Sequence, residues 1–139
     1  MANTGTIHLE VCAPEKPLIE VGATEVIVPG EQGLFTVLPG HTPFLSTLRT
    51  GAVVAYNGDD ETHFFAVHGG FAEVLDDRVV ILARAFEHAE EIDLDRAEAA
   101  KERAKERLQT RAEDIDYARA EAALERACAR LHAHHRSEY

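Results

Sequence analysis

Eleven arginines against three lysines give this sequence most of its chemical interest, and seven of those arginines fall between Arg96 and Arg130. Arg96, Arg103 and Arg107 are spaced seven and four apart, and Arg119, Arg126 and Arg130 repeat that spacing. At 3.6 residues per turn each triplet occupies an arc of about 40° on a helix. Two such rows face to face would form a cationic slot. The planar fork of arginine suits phosphate oxygens better than the point charge of lysine does. The same rows could instead dock an acidic partner. They also fit a solvated face, with Glu102 and Glu106 near Arg107 and Glu121 and Glu125 near Arg126. Spacing alone leaves these readings open.

Other reactive types are scattered. Glu87 and Asp93 could accept hydrogen bonds from an amine or hydroxyl, or be exposed linker carboxylates. His132, His134 and His135 crowd the end of the chain. Metal binding there competes with the simpler expectation of cations at a helix C-terminus. His41 sits in a Pro-Gly-His-Thr-Pro loop, where a structural or interface role is expected. Cys12 and Cys128 are far apart and are expected to be small buried residues. No Gly-rich lysine loop, dinucleotide fingerprint or His-Glu-x-x-His pair occurs. The two serines, Ser46 and Ser137, lie outside any nucleophile elbow. No organised catalytic site and no metal site are expected.

The elements that must position these groups fall into two kinds. All nine glycines lie between Gly5 and Gly70 and all five prolines between Pro14 and Pro43. Residues 1–86 carry net charge −7 and residues 87–139 net −4, the second part being the more densely charged. The first part reads as short strands. Ile7, Leu9 and Val11 alternate with polar neighbours. Apolar runs at 26–28, 34–38, 52–56 and 63–68 end at turn signals, and Asn57-Gly58 is a strong hairpin dipeptide. Segments 71–75 and 79–86 complete a sandwich or barrel. Three runs lack alternation, so some strands should be buried on both faces.

The second part reads as two helices. Asp93 is placed to cap the first. Leu94, Ala97, Ala104 and Leu108 form its apolar stripe, and Ala120, Leu124, Ala127 and Leu131 form the stripe of the second. Asp114 and Asp116 mark a break, giving an antiparallel hairpin. Large apolar residues are few: Leu94, Leu108, Ile115, Tyr117, Leu124, Leu131 and Tyr139. Such a hairpin must lean on the sheet, a partner or a ligand, and an element held weakly can move.

The chain has 139 residues, net charge −11 and 45% apolar residues. Those values fit one or two small folded units. The acidic balance argues against a general nucleic-acid binder. No apolar run reaches the roughly 18 residues of a membrane span. Residues 1–5 show no sign of a secretory signal.

Three segments in order resemble the epsilon subunit of bacterial F-type ATP synthase. They are Gly30-Glu31-Gln32-Gly33-Leu34-Phe35-Thr36-Val37-Leu38-Pro39-Gly40-His41-Thr42-Pro43, His68-Gly69-Gly70-Phe71-Ala72-Glu73-Val74, and Ile92-Asp93-Leu94-Asp95-Arg96-Ala97. The resemblance implies an α+β chain. A β-sandwich of about ten strands, residues 1–86, would bind a gamma subunit and a ring of c subunits. A two-helix hairpin, residues 87–139, would be regulatory. It implies a non-catalytic rotor subunit that couples proton translocation to ATP synthesis. Such a subunit would be peripheral to the cytoplasmic face of the bacterial inner membrane. The hairpin would either fold beside the sandwich or extend to the alpha and beta subunits and block ATP hydrolysis.

No cofactor is required on that reading, and ATP is a possible regulatory ligand. The resemblance places an ATP site on Glu87, Ile92, Asp93, Arg96, Ala97, Arg103, Arg126 and Arg130. It places ring or gamma contacts on Gly30, Glu31, Gln32, Gly33, Leu34, Phe35 and His41. Leu34 stands where many relatives carry a carboxylate, so an apolar contact is expected there. Two other readings are a free-standing nucleotide sensor and a metal-dependent enzyme using the C-terminal histidines.

Overall fold

The computed structural model describes residues 5–58, 61–110 and 113–137. Arg111 and Tyr139, counted above, lie outside them. Ten strands form one sheet: β1 (Ile7–Ala13), β2 (Lys16–Ala23), β3 (Glu25–Gly30), β4 (Gly33–Val37), β5 (Phe44–Leu48), β6 (Gly51–Tyr56), β7 (Thr62–Val67), β8 (Gly70–Leu75), β9 (Arg78–Ala83) and β10 (Phe86–His88). Their order is β10-β7-β6-β3-β5-β8-β9-β1-β2, with β4 paired to β3. Only β1 with β9 is parallel; the other pairs are antiparallel.

The sheet folds over a single core. Ile7, Leu9 and Val11 of β1, Val53 and Ala55 of β6, Phe65 and Val67 of β7, Val79 and Ile81 of β9 and Phe86 of β10 all point into it. Burying that apolar surface drives the closure. The segment read as one strand at 79–86 is two, β9 and β10, and two further strands escaped the sequence reading. β2 carries Pro17 and Gly22, poor strand residues, and lies at the end of the strand order where they are tolerated. β5 follows directly on the Pro-Gly-His-Thr-Pro loop, and three of its five residues are exposed. The tight β8–β9 turn uses Asp76 and Asp77 at φ 48° and 59° instead of glycine.

Gly70 explains the His68-Gly69-Gly70 hallmark. Its φ is 120°, and a Cβ there would lie 2.0 Å from the Leu82 carbonyl oxygen. The turn lets β8 start against the backbone of β9.

Strands β6 and β7 are buried on both faces, which is why their sequences do not alternate. Ala52, Val54, Phe64 and Ala66 point away from the sheet core. They meet Ile92, Ala97, Ala129, Leu131 and Ala133 in a second apolar layer. That layer seats the helical hairpin, α1 (Leu94–Gln109) and α2 (Tyr117–Ser137). Both helix starts are capped by aspartate. Asp93 Oδ1 accepts the Arg96 amide at 3.1 Å and Asp116 Oδ1 the Arg119 amide at 3.1 Å. The helices are small enough to sit close, with Ala97, Ala104, Ala120 and Ala127 buried. The hairpin therefore leans on the sheet, in the folded-down arrangement.

Candidate functional site

β10 leads through a short 3-10 turn, Ala89–Glu91, into the Asp93 cap and α1. The Lys16 ammonium pins this link. It donates to the Phe86 carbonyl at 2.7 Å and to Glu91 at 2.7 Å, and lies 4.4 Å from the Phe86 ring centroid. Beside the link opens a cleft of about 410 Å³, lined by Glu87, Glu91, Asp93, Arg96, Arg103 and Arg130 with alanines between them.

One carboxylate organises the back of the cleft. Glu87 Oε1 accepts from Arg130 Nε at 2.6 Å and lies 3.3 Å from His68 Nε2. The hydrogen bond from His68, together with the Arg130 guanidinium, holds the Glu87 carboxyl down to about 2, against the opposing pull of burial. His68 is buried at 8% exposure, and its Nδ1 has no partner among the described residues. Glu87 thus joins the end of β7, β10 and α2.

The cleft carries three guanidiniums and three carboxylates. Arg96 and Arg103 are exposed and form no ion pair among the described residues. They are free to take phosphate oxygens, while the carboxylates can accept amine or hydroxyl hydrogens.

Six of the eight residues assigned to the ATP site line this cleft: Glu87, Asp93, Arg96, Ala97, Arg103 and Arg130. Ile92 is instead buried in the layer between sheet and hairpin. Arg126 is half-buried on α2 and does not line the cleft; Arg107 and Arg119 are exposed and also lie outside it. Antiparallel pairing brings the end of α2 to the start of α1. Arg130 therefore meets Arg96 and Arg103, while Arg107 and Arg119 fall toward the connection. The two spaced triplets do not form one slot. Sequence reasoning missed Glu91, Lys16 and His68. Sheet pairing and the turn after β10 bring them here, and no local spacing announces that.

A second surface lies elsewhere on the sheet. Leu45, Phe71, Leu75 and Leu82 are between 46% and 69% exposed, and alternation puts them on one outward face of β5, β8 and β9. A groove of about 500 Å³ between Cys12, Leu48, Phe71 and Leu82 adjoins it. At the β3–β4 turn Gly30 is buried and Glu31, Gln32 and Gly33 are exposed. Glu31 accepts from the Thr47 hydroxyl at 2.7 Å. Leu34 is 63% exposed, and Phe35 packs edge-on to Phe44 at 5.1 Å. His41 is half-buried with its ring 6.2 Å from that of Phe44.

Among the described residues the group able to offer three metal ligands is His8, Glu10 and Glu20, on facing positions of β1 and β2. Arg78 already pairs with Glu10. Cys12 is half-buried, and burial with Glu10 and Glu20 nearby pushes its thiol up. Cys128, expected to be buried, is exposed: it lies at the rim of the α2 seat, in an open pocket shared with Ile27, Gly51 and Ala52.

The beta-sandwich domain model of the ATP synthase delta/epsilon chain matches residues 6–89, and the long alpha-helix domain model of the same chain matches residues 90–134. The ATP synthase epsilon chain of Nitratidesulfovibrio vulgaris is 48% identical over 103 residues, which are 74% of this chain and 76% of that one. That of Desulfosudis oleivorans is 47% identical over 104 residues, 75% and 78% of the two chains. A chain in the structure of the Euglena gracilis mitochondrial ATP synthase OSCP/F1/c-ring superposes with a TM-score of 0.81. It is 24% identical, with 96% of this chain and 84% of that chain covered. The chain belongs to the ATP synthase delta/epsilon family and is similar over most of its length to bacterial ATP synthase epsilon chains.

Proposed function

We propose that this chain is a non-catalytic rotor subunit. On this reading it couples proton translocation to ATP synthesis, and its helical hairpin restrains ATP hydrolysis when it leaves the sheet. ATP is the ligand that favours the docked form. The observation that carries this reading is the cleft between the hairpin and β10. It holds Arg96 and Arg103, which form no ion pair among the described residues, and the pair from Arg130 to Glu87 ties α2 to its back wall. Phosphates bound across Arg96, Arg103 and Arg130 would tie α1 to α2. A ligand that binds only the docked state shifts the population toward it.

The contact between hairpin and sheet supports mobility. It is built largely from small residues, Ala52, Ala66, Ala97, Ala129 and Ala133, with Leu131 and Ile92 the main larger aliphatics from the helical side. Small side chains bury little area each, so the seat is weak. The exposed apolar face of β5, β8 and β9 is assigned to a gamma subunit and the Leu34 turn to a c-subunit ring, because contiguous exposed apolar surface marks a docking site. In the extended state Arg119 and Arg126 would face acidic segments of the alpha and beta subunits. The chain would then lie peripherally at the cytoplasmic face of the bacterial inner membrane. Among the described residues no helix is long and apolar enough to cross a membrane.

Calorimetric titration of the full chain with ATP tests the site. Saturable binding is expected, weakened at least about tenfold by Arg103→Glu through loss of one charge-assisted contact. Unchanged affinity in that variant overturns the assignment. Arg126→Glu, outside the cleft, should leave binding in isolation nearly unchanged. For the sheet face, Leu45→Asp with Phe71→Asp should abolish co-purification with gamma.

A further inference from the structure

We propose that His68 makes the position of the hairpin sensitive to pH, because proton binding to its ring and docking of Arg130 oppose one another. This rests on the mobile hairpin proposed above. The geometry is a shared acceptor. His68 Nε2 and Arg130 Nε both address Glu87 Oε1, at 3.3 and 2.6 Å. With Glu87 ionised, Nε2 must be the protonated nitrogen of the neutral ring. The lone pair is then left on Nδ1, which is buried and without a hydrogen-bond partner among the described residues.

A second proton can enter only at Nδ1, where no acceptor waits for it. It also places an imidazolium on the same oxygen as a guanidinium. Like charges that share one acceptor repel. The charged groups around the ring and its acceptor are Glu87 of β10, Arg130 of α2, Arg96, Arg103, Asp93 and Glu91, which line the same cleft, Arg84, whose side chain lies against Gly69, and Lys16, paired with Glu91. Of the hairpin cations Arg130 is the one bonded to the oxygen that His68 addresses. Undocking removes it and leaves Glu87 to the imidazolium alone. An imidazolium at His68 therefore favours the undocked hairpin.

The device is local. His68 is the residue that connects β7 to the strained glycine turn, so the sheet fixes it while α2 can leave. Charging this ring would loosen the seat without any ligand.

The test uses NMR of the full-length chain without nucleotide. Contacts between the Phe64 ring and the Leu131 and Ile92 methyl groups report docking. From pH 8 to pH 5.5 the undocked population should rise several-fold in the wild type. In His68→Gln, which keeps a donor toward Glu87 but cannot titrate, it should stay flat. Equal pH responses in the two proteins, or no response in the wild type, overturn the inference. Arg130→Gln should undock at every pH. If it does not, the mobile-hairpin reading fails; if it does while the wild type stays flat, only the His68 inference fails. Should His68→Gln not fold, the nitrogen shifts of His68 in the wild type decide at pH 8. The Nε2–H tautomer supports the proposal and the Nδ1–H tautomer overturns it.

Discussion

Glu87 and Gly70 show how far single residues can be read from their surroundings. Glu87 is held at about 2, below its ordinary 4.5. A depressed carboxyl contributes stability that is fully present above its unfolded value and is lost as pH falls through its folded value. Urea denaturation of the wild type and Glu87→Gln should therefore differ more just above pH 4.5 than below it. The difference should shrink between 4.5 and 2 and vanish below that. A difference independent of pH across that window would mean that Glu87 is not ionised in this network. Gly70 is a steric case. Gly70→Ala puts a methyl group against the Leu82 carbonyl at a φ of 120°, so a loss of about 3 kcal/mol or more, or failure to fold, is expected. Gly22→Ala meets nothing within 4 Å and should shift stability by less than about 1 kcal/mol. Thermal melts of the two variants check the contrast.

At the scale of elements, the two helices are specified locally but seated remotely. Asp116 caps α2, and Asp116→Ala should cost about 1 kcal/mol of helix stability, read by circular dichroism. Leu131 contributes to the layer that α2 shares with β6 and β7. Leu131→Ala removes a contact that in a rigid core would cost about 2–5 kcal/mol. Here the hairpin can come away by itself. Amide exchange in α1 and α2 should thus accelerate at least tenfold while the sheet core is unchanged. Acceleration spread evenly over sheet and helices would show one cooperative unit instead.

Across the whole molecule, the sheet and hairpin both carry net negative charge, −7 and −4 for residues 1–86 and 87–139. Long-range electrostatics therefore does not draw them together. What joins them is the apolar layer and the Glu87–Arg130 pair. The sheet core contains no residue beyond Phe86, so a chain ending at Ile92 should keep its strands. It would expose Ala52, Val54, Phe64 and Ala66 and associate with increasing concentration. Sedimentation together with circular dichroism tests this; loss of the strand signal would show that the hairpin is part of the fold rather than a cover.

The two-part architecture, most strands, the capped helices and the need of the hairpin for support were all legible in local pattern. Alternation, turn dipeptides and capping residues act over a few positions, and Ala52–Tyr56 and His63–Val67 even betrayed their two-sided burial. β2 and β5 were not legible, because an edge position and a loop-flanked strand tolerate residues that propensity rejects. Arginine spacing along each helix was plain in the sequence. Which arginines share a cleft depended on how the helices cross, and that is why Arg130 entered with Arg96 and Arg103 while Arg126 did not. His68 and Lys16 acquired their roles only from the tertiary structure. They lie 62 and 114 residues before Arg130. Contacts at such separations are made by sheet pairing and docking, which no local spacing encodes.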